Sequence, residues 1–212
     1  MTALNLAIRS DRALIVSDSL VSGADEPLFA SKVVTAPHLG LIGAANGSHD
    51  FACAWRSWLS WCFPRGTTAE DVEACAGDFG RDAWLRRRCS APSSLFLVGV
   101  AGERVFATVF ASPDFSAQRL EPGVYYSPNL AAETGDAREA PERTPPTAEE
   151  RAADLALPWS DWAAAALTPI RRQRAAHPER IGGAVIATEL DAGGAIRQYR
   201  VLDLEALEAP AS

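Results

Sequence analysis

The sequence MTALNLAIRSDRALIVSD (residues 1–18) decides the fold prediction, because it contains two short apolar runs joined by a polar turn. In the first run, apolar residues alternate with polar or small ones, the period of a half-buried β-strand. The alternating apolar residues are Leu4, Leu6 and Ile8. The turn at 10–12 leads into a second run that ends at Asp18. Folded as a hairpin, the stretch returns the Asp18 carboxylate to the side of residues 2–4.

Thr2 is expected to become the first residue of the mature chain, because an initiator Met is removed before a small second residue. The chain then has a hydroxyl and a free α-amine on one residue. A Thr hydroxyl is a poor nucleophile at neutral pH, and an N-terminal amine is one of the few groups that can activate it. An unperturbed α-amine titrates at about 7.7–8.0, so much of it is a neutral base at working pH. Thr2 is therefore a candidate nucleophile.

Lys32 opens the next apolar run and is the only lysine in the chain. Arg does not give up its proton in a protein, whereas the pKa of a Lys moves readily on burial. A Lys that is held by a carboxylate close to a hydroxyl can lower the pKa of that hydroxyl or shuttle its proton. The alternative interpretation is a surface residue at the start of a strand, and the spacing alone favours neither.

Gly47 and Ser48 mark the start of a predicted helix, since Ser48 is a good N-cap and apolar residues follow at helical spacing. Exposed N–H groups at the start of a helix favour an anion. The Gly47 N–H is therefore a candidate donor to an oxyanion, although the same pattern also fits a simple turn residue. The tryptophans of this helix are predicted to be core residues. They are Trp55, Trp58 and Trp61.

The remaining sequence predicts an ordered series of elements. Residues 19–31 are predicted to be a loop. Two helices precede a hairpin over 94–111, and the second of them is predicted to begin at the capping sequence Thr67-Thr68-Ala69-Glu70-Asp71. A helical segment over 147–177 then leads to a last hairpin over 185–204. Two antiparallel sheets between two helical layers satisfy this order, which predicts an α+β fold. We expect a single domain over 1–212, within which the Pro- and Glu-rich segment 131–146 is a mobile loop.

Composition excludes several functional classes. The formal net charge is −7 and the pI is near 5.0, which argues against a nucleic-acid partner. No apolar run approaches the roughly 20 residues of a membrane helix, and the N-terminus lacks a signal-peptide pattern, so a cytoplasmic protein is expected. The four cysteines are then expected to be reduced. Their spacing matches no zinc pattern, and we expect no histidine at ligand spacing from them, hence no metal and no cofactor.

The order of these pieces resembles that of a proteasome β-type subunit, in the form of a divergent bacterial member. The matching pieces are Thr2, an alternating strand, Ile15-Val16-Ser17-Asp18, Ser31-Lys32-Val33 and Leu41 to Ser48 with Asp50. The resemblance implies a four-layer αββα sandwich and an N-terminal-nucleophile (Ntn) hydrolase. It implies that Thr2 is the nucleophile, that Asp18 and Lys32 support it, and that Gly47 supplies an oxyanion-hole N–H. It also implies a homo-oligomer and leaves an ATPase partner open.

The sequence departs from the family pattern at two places. An Asp-x-x-Ser pair that usually orients the amine is missing from residues 177–181, and Ala3 replaces a common hydroxyl residue. Three hypotheses follow. The first is an N-terminal-threonine hydrolase that cleaves a peptide or amide bond through an acyl-enzyme. The second is a non-catalytic scaffold of the same fold, and the third, weaker one is a small-molecule amidase.

Overall fold

The structure is a computed structural model that describes residues 4–21, 28–89, 92–126, 170, 174–175, 178 and 181–204. Within these residues the chain forms twelve strands and two complete helices. The strands are β1 (Leu4–Ile8), β2 (Arg12–Asp18), β3 (Leu20–Val21), β4 (Leu28–Phe29), β5 (Val33–Ala36), β6 (Leu41–Asn46), β7 (Ser94–Ala101), β8 (Arg104–Ala111), β9 (Ala117–Arg119), β10 (Gly123–Tyr126), β11 (Ala184–Asp191) and β12 (Ile196–Asp203). The helices are α1 (His49–Trp61) and α2 (Ala69–Arg86).

Two five-stranded antiparallel sheets form the centre of the fold. The first sheet has the order β10-β1-β2-β11-β12, and the second has the order β5-β6-β7-β8-β9. The predicted N-terminal hairpin is confirmed, with Leu4 opposite Ser17 and Ile8 opposite Ala13. β11 then pairs with the other side of β2, which places Val185 opposite Asp18. The end of β2 is therefore held on both sides within the first sheet.

The sheets pack face to face through an apolar core to which both contribute. From the first sheet this core takes Leu4, Leu6, Ile8, Ala13 and Ile15. From the second sheet it takes Val33, Ile42, Ala44, Phe96, Val98, Val105 and Ala107. Burial of this apolar surface, at about 25 cal/mol per Å², stabilises the contact between the two sheets. It fixes the ends of β2 and β5 relative to each other.

β1 is buried along its whole length, which corrects the prediction of a half-buried strand. Its other face belongs to a separate apolar cluster outside the core between the sheets. That cluster consists of Ala7, Leu14, Val16, Ile170, Ile181, Val185, Ala187 and Leu204. Period-two patterning detects one buried face only, and the small size of Ala7 concealed the second.

Both helices begin at the side-chain caps that the sequence predicts. The Phe51 N–H donates to Ser48 Oγ over 3.2 Å at the start of α1. Thr68 and Asp71 form a reciprocal capping box at the start of α2. These contacts satisfy N–H groups that have no partner within the helix. The capping signals were sufficient to locate both helix starts.

The two helices cover the outer face of the second sheet. α1 approaches closely because β6 has no side chain at Gly43, where a Cβ would lie 2.5 Å from Leu59 Cδ1. Trp55 is buried in this contact, and Trp58 packs beside it at a ring-centroid distance of 5.2 Å. Trp61, in contrast, is 85% exposed, so its prediction as a core residue was wrong. At 3.6 residues per turn it points about 120° away from Trp55.

The described residues thus show one helical layer and two large sheets. The helical segment predicted over 147–177 lies almost entirely outside the described residues, as does the whole of 131–146. Within the predicted loop 19–31, the two-residue strands β3 and β4 pair with each other, and β9 was not predicted. None of the described helices is long and apolar enough to cross a membrane.

Candidate active site

Asp18 and Lys32 form an ion pair between the two sheets. Asp18 is the last residue of β2, and Lys32 immediately precedes β5. Lys32 Nζ lies 2.7 Å from Asp18 Oδ1. The Lys32 side chain is 10% exposed and that of Asp18 is 0% exposed. The prediction that the lysine meets this carboxylate is confirmed, and the interpretation of Lys32 as a surface residue is wrong.

A backbone N–H holds the second oxygen of the Asp18 carboxylate. The Gly182 N–H donates to Asp18 Oδ2 over 3.3 Å, and the Leu20 N–H donates to the Gly182 carbonyl over 3.1 Å. The Ala184 N–H donates to Ser19 Oγ over 2.9 Å. The segment before β11 is therefore tied to the end of β2. These contacts fix the direction in which the carboxylate faces Lys32.

Burial lowers the pKa of Lys32 from its ordinary value near 10.5, and it is the largest influence on that pKa. The charge of Asp18 and its hydrogen bond act in the opposite direction and offset part of the shift. A desolvated ammonium favours its neutral form, and a neighbouring carboxylate favours the charged form. Lys32 therefore releases its proton more readily than a surface lysine does. Titratable groups of this kind are concentrated at functional sites.

The turn before Lys32 is held by side chains from two other elements. Ser31 Oγ accepts hydrogen bonds from the Val33 N–H over 3.3 Å and from Gln198 Nε2 over 3.1 Å. Arg56 Nη2 donates to the Ser31 carbonyl oxygen. Gln198 is on β12 and Arg56 is on α1. The backbone that carries Lys32 is thus fixed from both the first sheet and the helical layer.

Gly47 lies at the same end of the second sheet as Lys32. β5 begins with Val33 opposite Ala44, and the antiparallel strand β6 ends three residues before α1 begins. Gly47 has a φ of 133°, a conformation that side chains rarely adopt. A Cβ on Gly47 would lie 2.4 Å from Ser93 Oγ and 2.9 Å from Ser93 Cβ. Both backbone geometry and space therefore require glycine here.

Gly47→Ala is expected to lower the free energy of unfolding for two reasons. The strain of a positive φ at a residue with a side chain costs about 1–3 kcal/mol. The added overlap with Ser93 costs about another 1–3 kcal/mol, typical of overpacking. The matched control is Gly66→Ala, since Gly66 has a φ of 91° but a Cβ added there would have no atom within 4 Å. Urea denaturation measures both. Equal losses in the two variants would contradict the close contact with Ser93.

Thr2 lies outside the described residues. The first described residue is Leu4. It pairs with Ser17, the residue that precedes Asp18 on β2. Of the four predicted site residues, Asp18 and Lys32 are in contact and Gly47 is at the same end of the second sheet. The catalytic roles of all four remain proposals.

Sequence reasoning missed two buried polar residues in the strands that lead to Asp18. Within the described part of the chain, the side-chain oxygen and nitrogen of Asn5 and the Ser17 hydroxyl are buried without a hydrogen-bond partner. Most buried polar atoms in proteins have such partners. The signal was present, because Asn5 interrupts an apolar strand and Ser17 follows an apolar run.

Among solved structures, the chain is similar to a Gly-1 mutant of Anbu from Hyphomicrobium sp. strain MC1. The TM-score is 0.62 at 15% sequence identity, and the alignment covers 94% of this chain and 87% of that chain. Anbu is a bacterial proteasome-like protein. The fold is proteasome-like. At this identity the likeness shows the fold alone, and no protein-family model and no curated protein matches the sequence.

The proteasome-like fold confirms the expected resemblance at the level of architecture. Two antiparallel sheets and two helices are common to the prediction and the structure, whereas the second helical layer of the predicted four-layer sandwich falls almost entirely on residues outside the described part of the chain. The buried Asp18–Lys32 ion pair is a feature of this chain itself and does not rest on the similarity to Anbu. It provides the chemical basis for a functional hypothesis.

Proposed function

We propose that this chain is an N-terminal-threonine hydrolase that cleaves a peptide or amide bond through an acyl-enzyme on Thr2. The observation that carries the proposal is the buried Asp18–Lys32 ion pair at the ends of β2 and β5. Burying two charges costs several kcal/mol. A protein with apolar residues of similar volume in place of a buried ion pair is often equally stable or more stable. A buried pair beside the start of the chain therefore supports a chemical role.

The pairing of β1 with β2 supports a role for Thr2 beside the Asp18–Lys32 pair. Two residues of extended chain span at most roughly 7 Å, and Thr2 is two positions before Leu4. Leu4 is opposite Ser17, the neighbour of Asp18. A nucleophile at Thr2 therefore requires only that these two residues extend toward the end of β2.

In the proposed reaction, Thr2 Oγ attacks the carbonyl carbon of the substrate while the Thr2 α-amine takes the hydroxyl proton, directly or through water. The positive charge of Lys32 lowers the pKa of the hydroxyl, and the Lys32 ammonium, which Asp18 orients, can give a proton to the amine as it accepts one from the hydroxyl. The Gly47 N–H donates to the oxyanion of the tetrahedral intermediate. Removal of one such donor from an enzyme typically lowers the rate by about 100- to 1000-fold. Collapse of the intermediate breaks the amide bond, and the leaving amine takes the proton. Water then hydrolyses the ester and regenerates Thr2.

Hydrolysis of a mixed peptide library, read as new amino termini by mass spectrometry, tests this proposal. The wild-type protein should generate cleavage products, and Thr2→Ala should generate none while keeping its fold by circular dichroism. Products that persist in Thr2→Ala would overturn the assignment of the nucleophile. Cleavage of simple amides but not of peptides would favour the small-molecule amidase.

A non-catalytic scaffold is the second candidate, because the sequence lacks the Asp-x-x-Ser pair of the family at 177–181. Intact-mass measurement separates the two. A retained Met1 blocks the amine and favours the scaffold, whereas loss of Met1 permits catalysis. We also propose a homo-oligomer, which light scattering of the purified protein measures directly.

A further inference from the structure

The Ser17 hydroxyl is a buried polar group to which the contacts of the described chain give no role. Ser17 is 0% exposed, and its Oγ has no hydrogen-bond partner among the described residues. A buried hydroxyl without a partner costs free energy that an alanine at the same position does not cost. A serine next to Asp18 therefore calls for a polar partner beyond the residues already described.

The register of the first sheet determines the face on which Ser17 lies. Ser17 is directly opposite Leu4 on β1, and two residues in such a pair have their side chains on the same face of a sheet. Leu4 belongs to the apolar core between the two sheets, and so does Ile15, two positions before Ser17 on β2. The Ser17 hydroxyl therefore points between the sheets, at the end where Asp18 meets Lys32.

Asn5, the other buried polar residue without a partner in these two strands, lies on the opposite face. Successive side chains of a strand point to opposite faces, and Asn5 follows Leu4 directly. Asn5 shares its face with Ala7, which belongs to the apolar cluster outside the core between the sheets. Of the two residues, only Ser17 faces a group that enters between the sheets.

We propose that Ser17 is a positioning residue for the Thr2 α-amine, an inference that rests on the proposed reaction. Thr2 is two positions before Leu4, so a β1 that continues to the mature N-terminus carries Thr2 on the face of Ser17. Diagonal neighbours on one face of an antiparallel pair have Cβ atoms about 7–8 Å apart, a span that one bridging water closes. The Ser17 hydroxyl accepts a hydrogen bond from an amine N–H, directly or through this water, and leaves the nitrogen lone pair to face the Thr2 hydroxyl.

This role compensates for a departure of the sequence from the family pattern. The Asp-x-x-Ser pair that usually orients the amine is missing from residues 177–181. The segment before β11 instead holds the carboxylate of the ion pair, since the Gly182 N–H donates to Asp18 Oδ2 over 3.3 Å. Ser17 supplies an orienting side chain from β2 in place of the missing pair.

Titration of the α-amine tests this contact without any need for hydrolytic activity. The chain has a single lysine, so an acylating reagent has only two primary amines to modify, and mass spectrometry separates their products. The pH dependence of acylation gives the pKa of the Thr2 amine. We expect this pKa to be lower by about half a pH unit or more in Ser17→Ala, because an oxygen that accepts from the ammonium stabilises its charged form. Asp18 and Lys32 are the same in both proteins, so the shift reports the hydroxyl.

Two other serine variants serve as matched controls. Ser10→Ala removes an exposed hydroxyl from the turn after β1 and should leave the pKa of the amine unchanged. Ser19→Ala removes a hydroxyl that accepts from the Ala184 N–H over 2.9 Å, so it should lower the urea midpoint of unfolding. Ser17→Ala should lower that midpoint much less, because the amine of a chain terminus can turn to water.

In the hydrolysis assay, Ser17→Ala should lower kcat by up to about 100-fold at an unchanged KM, the cost of misplacing a reacting group by about 1 Å. An unchanged amine pKa, an unchanged kcat, or a loss of stability equal to that of Ser19→Ala would overturn the proposal and leave the proposed reaction standing. A lowered amine pKa in a protein that hydrolyses nothing would support the contact and count against the reaction. A chain that retains Met1 would overturn both, because the Thr2 nitrogen is then an amide.

Discussion

Asp18→Asn is expected to lower the free energy of unfolding by about 3–5 kcal/mol at neutral pH, the usual effect of removing one partner from a buried ion pair. The substitution keeps the shape of the side chain and leaves the Lys32 ammonium buried without a counter-charge. The folded-state pKa of Lys32 should then fall further, because the two influences that raise it both come from Asp18. Chemical denaturation at several pH values measures the loss.

The pH dependence of this loss has a definite sign. Since the folded-state pKa of Lys32 is below its unfolded value near 10.5, the unfolded chain binds more protons in the window between the two values. The stability of Asp18→Asn should therefore rise as the pH increases through that window, and its deficit should shrink. A deficit that is independent of pH would contradict an unpaired buried ammonium as its cause.

Two further variants serve as controls for Asp18→Asn. Adding Lys32→Met should restore much of the lost stability, because the second substitution removes the unpaired charge. Asp78→Asn, which breaks the exposed Asp78–Arg81 pair, should change stability by no more than about 1 kcal/mol. If the double variant is less stable than Asp18→Asn alone, the unpaired charge of Lys32 is not the cause of the instability of Asp18→Asn.

Lys32→Arg is expected to lower kcat/KM for hydrolysis by about 10²–10⁴-fold, the usual contribution of a positioned proton-transfer group. Arg keeps the positive charge but does not release a proton, and its planar fork cannot replace a compact ammonium in a space that fits Lys32. Lys32→Met should lose at least as much. The measurement is the initial rate of product formation against substrate concentration.

The control for this prediction is Arg65→Lys, an exposed cation exchanged in the opposite direction. It should leave kcat/KM unchanged. If Lys32→Arg retains wild-type activity, Lys32 acts through charge alone and proton shuttling is excluded from the mechanism. If Lys32→Met also retains it, Lys32 has no part in the chemistry.

Much of the architecture could be predicted because local signals and the fold agree. Alternation in β1, the turn after it and the run to Asp18 define the first hairpin, and its register then carries Asp18 back toward the start of the chain. Ser48 and Thr68 locate both helices because caps act within one turn. The role of Lys32 could be suspected from its being the single lysine in the chain.

Other features depend on contacts between distant residues, and local patterns do not report them. The hydrogen bond from Gly182 to Asp18 joins residues 164 positions apart. Burial on both faces of β1 depends on Ile170 and Ile181, which come from much later in the chain. The contact of His49 with Cys53, in contrast, joins residues four apart on one helix, so the sequence alone could have revealed it. The expectation that no histidine lies at ligand spacing from a cysteine was therefore wrong.

The central claim is that the buried Asp18–Lys32 pair activates a nucleophile at Thr2. Mass-spectrometric mapping after treatment with an electrophile directed at N-terminal threonine tests it most directly. The adduct should form on Thr2 of the chain without Met1, and it should form much more slowly in Lys32→Met. An adduct on another residue, or equal labelling rates in wild type and Lys32→Met, would contradict it.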